Sequence, residues 1–172
     1  MMPNTNRLLV LGGARSGKSR YAQVRAEGLG IRPIYVATAQ AFDDEMRDRI
    51  ARHRNDRAGQ WETVDTPLDV SGVIARRSSP DTVLLIDCLT LWATNLILGE
   101  YDVAAATTEL TSSLAEARGA IILVANEVGL GIVPDNALAR RFRDEAGIIN
   151  QRVAAAVAEV QFIAAGLPLR LK

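Results

Sequence analysis

The chain has 172 residues, 48% of them apolar and only 5% aromatic, and its twenty basic and twenty acidic side chains cancel. That length reads as one domain over 1–172, with 1–6 a flexible tail, and the charge balance argues against nucleic acid or an anionic membrane as partner. The lone Cys88 excludes an intrachain disulfide, and a single histidine excludes a multi-histidine zinc cage.

The N-terminal "MMPNTNR" has no apolar signal core, and no apolar run approaches the ~20 residues of a membrane helix. A cytoplasmic enzyme is the expectation. Apolar runs at 8–12, 33–38, 82–88, 120–127 and 160–166 are rich in β-branched residues and lack strict alternation, as strands covered on both faces do. Helix-like segments at 18–28, 42–57, 67–78, 89–98, 103–118 and 136–158 separate them. The expected fold is therefore α/β, a mostly parallel sheet with helices on both faces.

The first strand runs into "GGARSGKS" (12–19), which matches G-x-x-x-x-G-K-[ST] through Gly12, Gly17, Lys18 and Ser19. Glycines there let backbone N–H groups turn inward around phosphate oxygens, and the following helix adds its positive end. Lys18 supplies a point charge to the terminal phosphates, and Ser19 offers a hydroxyl to Mg²⁺. A strand before the motif and a helix after it are the context that gives it meaning.

On the 42–57 helix, Phe42, Met46, Ile50, His53 and Arg57 fall in one stripe, apolar at first and ending in an imidazole and a guanidinium. Arg52, Arg54 and Arg57 surround His53 with positive charge, which attracts polyphosphate and disfavours the imidazolium. A neutral ring nitrogen can attack phosphorus. The other reading is a histidine satisfied on a half-buried helix face, and the residues alone leave both open. Asp43, Asp44 and Glu45 suit the positive helix end, with Glu45–Arg49 and Asp48–Arg52 as supporting i,i+4 pairs.

Further along, Asp65-Thr66-Pro67 reads as a capping residue and first-turn proline for the 67–78 helix, and Pro134-Asp135 as a similar start for the last one. "TVLLID" ends in Asp87 at the carboxyl end of a strand, where open α/β sheets bind ligands; it is either a Mg²⁺ partner or a cap for the next helix. Asn126 and Glu127 end another apolar strand before Gly129 and Gly131, a ligand-facing edge or a plain turn. Phe42, Met46 and the Trp61/Trp92 pair are read as core or interface residues.

Taken together, "GGARSGKSRYAQ", "YVATAQAFDDEMRDRIARHR", "LLIDCLTLW" and "ANEVGLGIVPDNALARRFRDEAGIINQRVA" resemble the bifunctional adenosylcobinamide kinase / adenosylcobinamide-phosphate guanylyltransferase family of cobalamin biosynthesis, from residue 8 to about 166. The resemblance implies phosphorylation of adenosylcobinamide by ATP or GTP, then transfer of GMP from GTP through a guanylyl-histidine, which maps to His53. It implies nucleotide contacts at Gly13, Ala14, Arg15, Ser16, Gly17, Lys18, Ser19 and Arg20, at Thr38, Ala39 and Gln40, and at Arg54, Asn55, Asp56 and Arg57. The acids Asp65 and Asp87 are carried over too, with Mg²⁺ at Ser19 and Asp87 and a homo-oligomer, a trimer being the candidate assembly. Two positions depart from the pattern: Asp65 where Glu is frequent, which shortens its reach, and Ala58 where proline is common, which loosens the loop. Two rivals are a small-molecule kinase without a covalent intermediate, with His53 structural, and a nucleotide-dependent switch.

Overall fold

The computed structural model describes residues 6–40, 47, 48, 51 and 59–172. Strands β1 (Arg7–Gly12), β2 (Arg32–Ala37), β3 (Glu62–Asp65), β4 (Thr82–Asp87), β5 (Ala120–Asn126), β6 (Glu159–Ala164) and β7 (Leu167–Arg170) form one sheet in the order β3-β2-β4-β5-β1-β6-β7. All neighbours are parallel except β6 and β7, which form an antiparallel hairpin. The helices between them are α1 (Lys18–Glu27), α2 (Val70–Arg77), α3 (Leu89–Leu98), α4 (Val103–Glu116) and α5 (Ala137–Ala156). Arg47, Asp48 and Ala51 are helical as well.

Strand side chains alternate between two apolar layers. Leu9, Leu11, Ile34, Val36, Leu84, Ile86, Ile121 and Leu123 face a layer built with α2, α3, α4 and α5. Leu8, Val10, Tyr35, Val83, Leu85, Ile122 and Val124 face the opposite way, where Ala22 and Ala26 of α1 pack. The sheet is therefore covered on both faces, and continuous apolar runs in its central strands follow from that. No helix among the described residues is long and apolar enough to cross a membrane.

Several expectations need correction. The helix assigned to 67–78 begins at Val70, and its cap is Asp69, whose carboxylate accepts from Gly72 N. Asp65 instead ends β3, paired with Ala37, and Thr66 N donates to Ala37 O at 2.8 Å. Strand pairing therefore holds the segment that local capping chemistry would have made helical. Similarly, α5 starts after Asn136, which accepts from Ala139 N, and not at Pro134-Asp135. Strands β3 and β7 are additional to the five expected. Trp61 and Trp92 are core residues as expected, on opposite faces of the sheet: Trp92 lies in the layer of α2–α5, whereas Trp61 packs on the other side, edge-on to Tyr35. Phe42, Met46 and Ala58 lie outside the described residues.

Candidate functional site

Because β1 to β5 run parallel, their carboxyl ends share one edge of the sheet, and loop 12–19, Thr38–Gln40, Asp65 and Asp87 lie along it. Loop 12–19 leaves β1 there. Gly12 must be glycine: a Cβ would sit 2.5 Å from Ser16 Oγ and 2.7 Å from Ile163 O. Gly17 has φ 93°, a left-handed conformation that suits glycine, and a Cβ there would meet Gly166 Cα at 3.2 Å. Gly166, in the β6–β7 turn, donates its N–H to Ser16 O at 2.8 Å, so the hairpin braces the loop from the side.

This loop is chemically prepared for an anion. Gly17 caps α1 without any side-chain hydrogen bond, so no side chain at that position competes for the first-turn N–H donors. Lys18 is buried, and its Nζ donates to Gly13 O at 2.9 Å. Ser16 is also buried, and its Oγ has no hydrogen-bond partner among the described residues. An orphaned buried hydroxyl costs about 1–3 kcal/mol, which a phosphate oxygen could offset. Ala14, Arg15 and Arg20 are exposed; Gly13 and Ser19 are half-buried.

Across the sheet, Ala37 is in register with both Asp65 of β3 and Asp87 of β4. Two strand spacings thus separate the acids, about 10 Å between their backbones. Asp87 is half-buried, and its Oδ2 accepts from Tyr35 Oη at 2.8 Å. Capping of the next helix is not its task, since Cys88 occupies the N-cap of α3 and its Sγ accepts from Leu91 N. Asp65 is exposed at the sheet margin.

Thr38 serves from behind the site. Fully enclosed, it donates N–H to Asp87 O, its hydroxyl both donates to Cys88 O and accepts from Cys88 N, and its carbonyl accepts from Asn95 Nδ2. Every polar group of Thr38 is therefore bound to protein, leaving half-buried Ala39 and Gln40 as the parts of that segment able to face a ligand. Asn95 is buried too, and its amide also donates to Pro67 O at 2.9 Å, tying together the ends of β2 and β3. The sequence signalled Asn95 only as a polar residue within the apolar helix "LTLWATNLIL", and Tyr35 as one aromatic in a strand. His53, Arg54, Asn55, Asp56 and Arg57 lie outside the described residues.

A hydroxyl from Ser19 and a carboxylate from Asp87 are hard oxygen donors of the kind Mg²⁺ takes together with water and phosphate oxygens. Among the described residues no group of three or more His, Cys, Asp or Glu side chains forms a ready-made metal cage. The donors present fit a cation shared with a nucleotide.

The comparisons with known proteins agree with one another. A family model described as cobinamide kinase / cobinamide phosphate guanyltransferase matches residues 8–171. The chain is 46% identical over 172 residues to the bifunctional adenosylcobalamin biosynthesis protein CobP of Pseudomonas aeruginosa, spanning 95% of this chain and 96% of that protein. It is 38% identical over 180 residues to the bifunctional adenosylcobalamin biosynthesis protein CobU of Salmonella typhimurium, spanning 96% and 99%. Among solved structures, the flagellar accessory protein FlaH of Methanocaldococcus jannaschii aligns with a TM-score of 0.53 at 15% identity, over 99% of this chain and 79% of that one, a likeness of fold alone.

Proposed function

The chain belongs to the cobinamide kinase / cobinamide phosphate guanyltransferase family, and from that premise we propose that one nucleotide site on loop 12–19 serves both reactions, with His53 holding the guanylyl group between them. The protein is a bifunctional enzyme of adenosylcobalamin biosynthesis that phosphorylates adenosylcobinamide and guanylylates the product. ATP or GTP is the phosphate donor and GTP the guanylyl donor in this reading.

In the second reaction a ring nitrogen of His53 attacks the α-phosphorus of GTP. The bond to the bridging oxygen breaks and pyrophosphate departs with the electron pair. An oxygen of adenosylcobinamide phosphate then attacks the same phosphorus, breaks the P–N bond, and frees His53 as adenosylcobinamide-GDP forms. The leaving pyrophosphate needs a positive cradle, and Lys18 with the N–H groups of loop 12–19 provides one. Mg²⁺ held by Ser19 and Asp87 would add positive charge at the phosphates. Ala39, Gln40, Arg54, Asn55, Asp56, Arg57 and Asp65 complete the nucleotide contacts in this assignment, and Thr38 fixes the segment from behind. The observation that carries the reading is the uncapped α1 N-terminus, with buried Lys18 and the unpartnered Ser16 hydroxyl, on the same sheet edge as Asp87.

One catalytic domain over 1–172 is supported by a sheet that joins strands from residue 7 to residue 170. A cytoplasmic homo-oligomer, with a trimer as the candidate, completes the proposal. The decisive experiment incubates the enzyme with GTP labelled at the α-phosphate and then denatures it. Acid-labile label on the wild-type chain and none on His53→Ala is the expected result. Turnover without any protein-bound label would overturn the covalent route and leave His53 a structural residue.

A further inference from the structure

We propose that Glu127 is the general base of the kinase reaction, a role that rests on the two-reaction reading above. The phosphoryl acceptor is a hydroxyl, whose proton must leave as its oxygen bonds to the γ-phosphorus. Neither Lys18 nor the loop amides can take that proton, and His53 is assigned to the other reaction. A carboxylate beside the terminal phosphate is the side chain required.

Among the described residues, three acids stand at or just beyond strand ends on this edge of the sheet, and topology separates them. Asp65 is on β3, at the sheet margin, and Asp87 is on β4, separated from β1 by the intervening β5. Asp87 is moreover in register with Val124, two residues before the end of β5, and its Oδ2 already accepts from Tyr35. Glu127 immediately follows β5, the strand hydrogen-bonded to β1 on that side. Gly12 and Asn126 are in register, and Glu127 N donates to Gly12 O at 3.0 Å. Its backbone is thus fastened to the first residue of the phosphate loop.

The side chain is fastened as well. Glu127 Oε1 accepts from Gly129 N at 2.6 Å, while Oε2 has no hydrogen-bond partner among the described residues, and the residue is half-buried. One oxygen fixes the orientation and the other has lone pairs available, which is what a base needs to meet a hydroxyl in a defined place. The proton of the acceptor hydroxyl passes to Oε2 as its oxygen forms a bond to the γ-phosphorus. The bond from that phosphorus to the β–γ bridging oxygen breaks, the nucleoside diphosphate leaves with the electron pair, and Glu127 later returns the proton to water.

A turn-stabilising carboxylate would show the same bond to Gly129, so the test must keep that bond. Glu127→Gln does so, since its amide oxygen can still accept from Gly129 N, while the amide is no base. The full chain is assayed separately for phosphorylation of adenosylcobinamide and for guanylyl transfer from GTP to supplied adenosylcobinamide phosphate. Glu127→Gln is expected to lower kcat of phosphorylation by roughly 10²–10⁴-fold, with nucleotide KM changed less than about threefold. Guanylyl transfer should fall far less, and Glu127→Asp should phosphorylate faster than Glu127→Gln. Phosphorylation by Glu127→Gln within tenfold of wild type, or an equal fall in both reactions, would overturn the assignment. A wild-type chain that does not phosphorylate adenosylcobinamide at all would overturn the underlying reading instead.

Discussion

At the residue scale, burial decides what each polar group is able to do. Lys18 is enclosed and bonded to Gly13 O, so its charge is already fixed at the loop before a phosphate arrives. Cys88 shows the opposite consequence of enclosure. Burial, followed by the neighbouring Asp87 charge, pushes its thiol up to about 11, so almost no thiolate exists at neutral pH and the sulfur serves as a helix cap. Native protein at pH 8 should react with a thiol reagent at least ~100-fold more slowly than protein unfolded in urea. Equal rates would show that the sulfur is accessible and the α3 cap is open.

Elements join through a few polar contacts that couple distant parts of the chain. Arg25 of α1 forms a bidentate pair with Glu159 of β6, both hydrogen bonds 2.8 Å long, and Gln161 donates to the same carboxylate. Chiefly through the Arg25 hydrogen bond, the Glu159 carboxyl is held down at about 2, while Arg25 is raised by the same bond. Because the folded-state value is depressed, the folded chain binds fewer protons here than the unfolded chain. The pair's stabilisation is therefore complete above the ordinary carboxyl range near 4.5 and is lost as pH falls from there towards 2. Partial solvent exposure of both side chains keeps the gain modest. Urea midpoints of wild type and Glu159→Gln should differ most at neutral pH and converge on acidification; a gap that stays constant down to pH 3 would refute the assignment.

The two strands that sequence patterning missed belong to this scale. In β3, "ETVD" is short and lies at the margin of the sheet, and β2 holds it through the Ala37–Thr66 bond. In β7, "LPLR" contains a proline and is exposed throughout, and it is a strand because the 165–166 turn folds it back on β6. Neither buries enough of itself to leave an apolar pattern, so the signal for each lies in its partner.

At the scale of the whole molecule, the carboxyl edge of the sheet gathers residues from loop 12–19, β2, β3, β4 and β5, and a nucleotide bound there as proposed would stabilise them together. GTP at a hundredfold excess over its Kd should add about 2.7 kcal/mol to stability. For a chain of this size that is a rise in Tm of roughly 5–10 °C. Lys18→Ala should lose most of that rise in a thermal-shift measurement; an undiminished shift would place the nucleotide elsewhere.

What the sequence determined by itself is local. Loop 12–19 was legible because its glycines answer to steric limits within a few residues, and the central strands because burial on both faces demands unbroken apolar runs. The tertiary structure alone decided which strand ends become neighbours: that Glu127 adjoins Gly12, that the β6–β7 turn braces Gly17, that Asn95 reaches two loops, and that Thr38 faces inward. Those contacts join segments many residues apart, and their energy comes from hydrogen bonds and burial that exist only once the sheet has assembled in its order.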